Sequence, residues 1–189
     1  MKELIIDVES TCWDNKEEQK NQINEVIEIG YAIVENNKII ENGDIYVKPQ
    51  YSTISKFCTQ LTGITQEKVE KEGVLPKEAY ARLNKLFSKV SKWGSYGNYD
   101  KNILTTNSQL YKLKLNMPEH FNIRLLASKK YYNGSDPYAA PSNPKDVLQK
   151  LKMPWEGRNH NGKDDALNIA KLYLKINSEE LVKESYFPY

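Results

Sequence analysis

A chain of 189 residues, 39% hydrophobic and 28% charged, suits one soluble globular domain with one substantial core. Its net charge of +2 is too small to argue for a nucleic-acid partner by itself, and its many lysines read as solvated helix faces. No apolar run reaches the roughly 18 residues of a membrane span. The first residues read as a core strand, not a signal peptide, and Cys12 and Cys58 lack metal-ligand spacing, so the expectation is a cytoplasmic protein with reduced thiols.

Residues 4–8 form the first predicted strand and 14–24, almost entirely polar, a surface loop. Residues 26–34 read as a second strand. Asn36-Asn37 marks a hairpin turn because Asn tolerates positive φ, and 38–47 follow as the antiparallel partner. A short helix is expected over 65–71. Pro76 suits a first helical turn, and Ala79, Leu83, Leu86, Phe87 and Val90 then recur at helical spacing. Residues 93–98 read as a short strand containing Trp93, a core residue, and 99–106 as the start of a helix. Helices are expected over 124–132 and 144–151, with the proline-bearing stretch 134–144 between them as a loop. The last helix covers 164–176, with Ala166, Ile169, Ala170 and Tyr173 on one stripe. Three early strands followed by alternating helices and strands give a mixed α/β sheet with helices on both faces. One domain is expected over 1–178, with a C-terminal tail over 179–189.

Chemistry concentrates in three places. The apolar run Leu4-Ile5-Ile6 ends in Asp7-Val8-Glu9. A strand repeats every two residues, so Asp7 and Glu9 project from one face. Two like charges at a buried strand end are expensive, and a hard divalent cation between them removes that cost. An ordinary strand running into an acidic loop reads the same way when taken alone. Asp100 closes Ser95-Tyr96-Gly97-Asn98-Tyr99-Asp100, and taken singly it reads as a carboxylate stabilised at a helix N-terminus. His160 stands five positions before Asp165 at the entry to the last helix, where Asp164 or Asp165 alone reads as a cap.

Taken together, the Asp-x-Glu strand, the later Asp and the His-x₄-Asp helix resemble the DEDDh family of 3′→5′ exonucleases. Further segments carry the likeness: Val47-Lys48-Pro49, residues 55–65, Trp93-Gly94-Ser95, Phe121-Asn122-Ile123-Arg124 and Gly157-Arg158-Asn159-His160. They are similar to the histone-mRNA and RNAi-suppressing exonuclease subfamily and its bacterial relatives, over about residues 4–176. Ser10 departs from the alanine common in relatives. The resemblance implies a ribonuclease H-like, DnaQ-like fold and a catalytic set of Asp7, Glu9, Asp100, His160 and Asp165. It assigns a first Mg²⁺ to Asp7, Glu9 and Asp165, and has Asp7 bridge to a second. Asp100 reaches the ions directly or through their hydration shell. Mn²⁺ should substitute, because it accepts the same oxygen ligands. His160 is the implied general base, since an imidazole titrates near ~6.5. A zinc site on His160 is the weaker reading: His120 is the second histidine, and no cysteine is near either in sequence.

The expected partner is the 3′ end of a single-stranded nucleic acid, with RNA favoured over DNA by the subfamily resemblance. Leu61-Thr62-Gly63-Ile64 admits two readings. In one it is a pocket for the terminal nucleotide, with Gly63 letting backbone approach the sugar and Leu61 or Ile64 wedged against the last base. In the other it is a plain turn before a helix. Backbone N–H groups of Ser10 and Thr11 are candidates for the terminal sugar hydroxyls. Phe57 and Tyr99 are candidates for stacking. The rival functions are a DNA-preferring exonuclease of the same fold and a regulatory binding protein on an exonuclease scaffold.

Overall fold

The computed structural model describes residues 1–20 and 22–185. Five strands form one sheet: β1 (Lys2–Ser10), β2 (Val26–Glu35), β3 (Lys38–Tyr46), β4 (Lys92–Ser95) and β5 (Glu119–Asn122), in the order β3-β2-β1-β4-β5. β1, β2 and β3 are antiparallel neighbours, whereas β4 runs parallel to β1 and β5 parallel to β4. The helices are α1 (Lys16–Gln19), α2 (Lys56–Thr62), α3 (Gln66–Glu72), α4 (Pro76–Phe87), α5 (Tyr99–Leu110), α6 (Ile123–Tyr131), α7 (Pro144–Lys150) and α8 (Gly162–Ser185). Asn36 and Asn37 carry φ of 51° and 58°, the positive values a tight hairpin between right-twisted strands requires.

Alternation along β1 sorts its side chains into two cores. Leu4, Ile6 and Val8 pack with Ala79, Leu83 and Phe87 of α4, Leu104 of α5, and Trp93. Ile5 faces the other way, into a cluster with Ile123 and Ala127 of α6, Val147 and Leu148 of α7, and Ile169, Ala170 and Tyr173 of α8. Asp7 and Glu9 continue the Ile5 series, so they look toward the side of the sheet that α8 covers. A third cluster, Ile27, Cys58, Ile64 and Val69, seats α2 and α3 on the start of β2.

Several elements differ from the sequence reading. The polar stretch 14–24 contains a one-turn helix, α1, whose start is fixed by Asn15 accepting from the Glu18 N–H at 2.8 Å. α2 was not expected; Ser55 Oγ caps it by accepting from Cys58 N at 2.9 Å. β5, only four residues long, is too short for an alternation signal. β4 stops at Ser95, short of 98, because the chain turns through Gly97 at φ 112°. α5 and α8 run past their expected ends, to Leu110 and Ser185. Part of the expected tail, 186–189, lies outside the described residues.

Candidate active site

The start of α8 is held against β2 by acids. Asn161 caps it: its carbonyl accepts from Asp165 N at 2.8 Å and its side chain from Asp164 N at 3.2 Å. The two preceding N–H groups, of Gly162 and Lys163, donate to the carboxylate of Glu28 at 2.9 and 3.2 Å. Glu28 is fully buried and pairs in register with Glu9 across β1–β2, so the helix terminus is what satisfies its charge. Close approach requires glycine on both sides. A Cβ on Gly30 would lie 1.9 Å from Gly162 C, and one on Gly162 would meet Gly30 N at 3.1 Å.

This seam gives a testable consequence. Gly30→Ala is expected to lose about 1–3 kcal/mol through overpacking. It should also lose activity beyond the loss of folded protein, because the displaced helix carries Asp165 and the preceding loop carries His160. Thermal melting with activity per folded molecule checks both; an unperturbed rate would show that the seam does not position the site.

Consecutive acids in α8 divide the work. Asp164 Oδ2 accepts from Arg158 N at 2.8 Å and pins the loop before the helix. Asp165 turns into the site, its Oδ2 accepting from His160 N at 3.1 Å, while His160 holds a φ of 61°. Asp100 arrives from α5. The parallel β1–β4 ladder ends at the Ile5–Gly94 pair, so the Val8 N–H beyond it donates instead to Asp100 Oδ1, at 2.9 Å. That bond sets Asp100 beside the strand between Asp7 and Glu9.

Asp7, Glu9, Asp100, His160 and Asp165 thereby line one hollow of 340 Å³, shared with Tyr96, Tyr99, Asn143 and Asn159. Ligand atoms of Glu9, His160 and Asp165 all lie within 4.8 Å of one another. Burial, then repulsion from Asp100, Asp165 and Glu9, holds the Asp7 carboxyl well above its usual range. Burial is also the first cause for Glu9, pushed up to about 9, Asp165, up to about 7, and Asp100, up to about 6. Asp165 Oδ1 is buried without a hydrogen-bond partner. Crowded carboxylates resisting ionisation, with one oxygen unsatisfied, suit a divalent cation with a preference for oxygen. Burial lowers the His160 imidazole, and Arg158 lowers it further, which favours its neutral form. His120 lies elsewhere: its Nε2 meets Ser95 Oγ at 2.9 Å and its ring packs on Trp93.

The expected nucleotide-binding set needs correction. Thr11 is fully buried and its groups are engaged internally: N donates to Glu25 O at 2.8 Å, and Oγ1 donates to Ile23 O and accepts from Glu25 N. It has no N–H to offer a sugar. Ile64 is fully buried in the third core cluster and cannot wedge against a base. Thr62 is likewise buried, bonded to Cys58 O and Ile64 N. Gly63 adopts φ 79° to end α2, and its open face is taken by the Arg158 guanidinium, where a Cβ would come within 2.0 Å of Nη1. This is the turn reading, with a guanidinium where a sugar was expected. Leu61 remains exposed, and Tyr99 lines the hollow with its hydroxyl 2.6 Å from Ser10 Oγ. Two residues that build the site, Glu28 and Arg158, carry no motif that assigns them a role. Arg158 Nη2 donates to Gln60 O at 3.0 Å, tying the end of α2 to the His160 loop. An acid interrupting the apolar run Val26-Ile27-Glu28-Ile29 was the available signal for Glu28.

A mixed sheet with acids from β1, α5 and α8 meeting at one end has the ribonuclease H-like architecture of the DEDDh exonucleases. The chain belongs to the RNase_T exonuclease family, whose profile matches residues 4–173. It is 31% identical to 3'-5' exoribonuclease 1 of Homo sapiens, over 91% of this chain and 51% of that protein. It is 29% identical to ERI1 exoribonuclease 2 of Xenopus laevis, over 92% of this chain and 28% of that protein. The chain thus spans about half or less of the curated relatives it matches. Its structure superposes on the nuclease domain of 3'hExo, a DEDDh family member bound to rAMP, with a TM-score of 0.83 and 25% identity, covering 94% of this chain and 92% of that domain.

Proposed function

We propose that the chain is a metal-dependent 3′→5′ exonuclease that releases nucleoside 5′-monophosphates from the 3′ end of single-stranded nucleic acid, RNA in preference to DNA. The observation that carries the reading is the convergence of Asp7, Glu9, Asp100, His160 and Asp165 on one hollow from β1, α5, α8 and the loop before α8. Asp7, Glu9 and Asp165 would hold one Mg²⁺, with Asp7 and Asp100 serving a second; Mn²⁺ would substitute. When bound, the ions supply charge stabilisation at the leaving oxygen and a lowered pKa for attacking water. His160, whose neutral form burial and Arg158 favour, would accept a proton from the attacking water at an imidazole nitrogen. Asp165 fixes the His160 backbone through the bond to its N–H. Tyr99, exposed and anchored through Ser10, would meet the terminal nucleotide, and Leu61 would offer a second apolar contact. Relatives named exoribonucleases, and the bound rAMP of the 3'hExo domain, favour RNA. Among the described residues no helix is long and apolar enough to cross a membrane, and both cysteines are free, which supports a cytoplasmic location. Residues 1–178 would be the catalytic unit.

Single-stranded RNA and DNA of one sequence, each incubated with Mg²⁺ and with EDTA, test the reading. RNA should be degraded faster than DNA, and both reactions should stop in EDTA. Undiminished hydrolysis after thorough chelation would remove the metal from the mechanism; faster loss of DNA would reverse the preference.

A further inference from the structure

The far end of α5 carries a second built feature, away from the acids. Glu25 is fully buried, yet its carboxylate is fully engaged. It accepts from the N–H groups of Gln50, Tyr51 and Ser52, at 2.6, 2.9 and 2.5 Å, and from the Tyr111 hydroxyl. One buried charge therefore fixes both the Tyr51 backbone and the tip of Tyr111. The outcome is a parallel stack of the two rings, centroids 5.9 Å apart and 13° from coplanar. Tyr51 is 62% exposed on this stack. The rings border a hollow of 640 Å³ with Leu75, exposed at its edge, and two exposed lysines, Lys77 and Lys112. The neighbouring exposed acid, Glu78, is paired with Arg82. An exposed aromatic face held rigid beside two exposed lysines suits bases and phosphates: stacking tolerates any base, and lysines track the backbone.

The position suits the same substrate. α5 begins at Tyr99, which lines the catalytic hollow, and ends at Leu110, which lines this one. Its 12 residues span roughly 18 Å at 1.5 Å per residue. That distance corresponds to about five nucleotides at the 3.4 Å spacing of a stacked strand. Glu25 also joins the two ends of the route, because its backbone pairs with Thr11, next to Ser10.

We propose that this hollow is a second subsite for single-stranded nucleic acid, in which a base several nucleotides 5′ of the scissile bond stacks on Tyr51 while Lys77 and Lys112 meet its phosphates. The proposal rests on the exonuclease reading for its choice of ligand. Substrate length then becomes a property of the enzyme: strands long enough to reach from one hollow to the other bind better than those that are not.

The test uses a fluorescent 12-nucleotide RNA and a trinucleotide. Binding is read by anisotropy in EDTA, and hydrolysis in Mg²⁺. Tyr51→Ala should weaken 12-mer binding roughly 5- to 150-fold, the range for losing one stacked base. KM for the 12-mer should rise in parallel with kcat unchanged, and trinucleotide hydrolysis should not change. Tyr51→Phe, which keeps the ring, should restore binding. The pair Lys77→Ala and Lys112→Gly removes both charges. Lys112 sits at φ 54°, so glycine relieves strain there. That variant should flatten the salt dependence of 12-mer binding by about 1.4 in slope, two contacts at about 0.7 each. Unchanged 12-mer binding in both variants overturns the proposal and leaves the face to another partner, such as protein. Equal losses on the trinucleotide also overturn it, since the effect would then come from the catalytic hollow. If the wild type binds the 12-mer but cuts neither RNA, the exonuclease reading fails while the subsite is still judged by the binding of the variants.

Discussion

Asp7→Asn and Asp165→Asn are expected to reduce turnover by at least about 10³-fold, at or beyond the upper end of what one charge-stabilising group contributes, while the fold is retained. Each substitution keeps size and removes charge. In metal-free buffer both variants should melt at a higher temperature than the wild type, because they relieve a crowd of acids rather than break a supporting contact. Glu9, pushed to about 9, Asp165, to about 7, and Asp100, to about 6, sit above their ordinary values of 4.5, 3.8 and 3.8. Between roughly pH 4 and pH 9 these carboxyls therefore hold more protons in the folded chain than in the unfolded one, and their contribution to metal-free stability falls as pH rises through that window. The wild type should melt lower at pH 8 than at pH 5, and Mg²⁺ should restore most at pH 8. Melting curves at both pH values, with and without Mg²⁺, check this. A near-normal rate in either variant would show that its carboxylate holds no ion. A lowered metal-free melting temperature would show that it is a structural support.

His160→Ala should lower kcat by roughly 10²–10⁴-fold, the range for a general base. The imidazole lies below its ordinary value of 6.5 because burial and Arg158 disfavour its charged form. The acidic limb of the wild-type pH–rate profile should accordingly fall below that value and flatten in the variant. Its nitrogen is within 4.8 Å of Glu9 and Asp165 oxygens, so a ligand role is the rival. Calorimetry with Mn²⁺ separates the two. Unchanged Mn²⁺ affinity with a lost rate fits the base, whereas loss of both moves His160 into the ligand shell.

The strand period made Asp7 and Glu9 legible, and β1 carries them on the Ile5 face toward α8. The resemblance points to Asp165 over Asp164, and the geometry agrees with it: Asp164 accepts from Arg158 N outside the hollow, whereas Asp165 lines the hollow with Oδ1 unpartnered among the described residues. Local pattern marks Glu28 only as an acid within an apolar run; its role is not legible there, because its partners, the N–H groups of Gly162 and Lys163, lie more than a hundred residues away. The reading of Ile64 and Thr11 as substrate contacts failed for a related reason. Sequence shows that a turn exists, but not which side the core covers, and α2 with α3 buries Ile64 against Ile27. β5 and α2 escape the sequence pattern because neither carries an apolar stripe: β5 has no fully buried residue, and α2 buries only Cys58 and Thr62.

The most direct test of the central claim is the product pattern from a 5′-labelled single-stranded RNA in Mg²⁺, with a circular RNA of the same sequence alongside. The labelled strand should shorten one nucleotide at a time from its 3′ hydroxyl, releasing nucleoside 5′-monophosphates, and the circle should survive. Cleavage of the circle, or release of the 5′ label as the first product, would contradict the assignment.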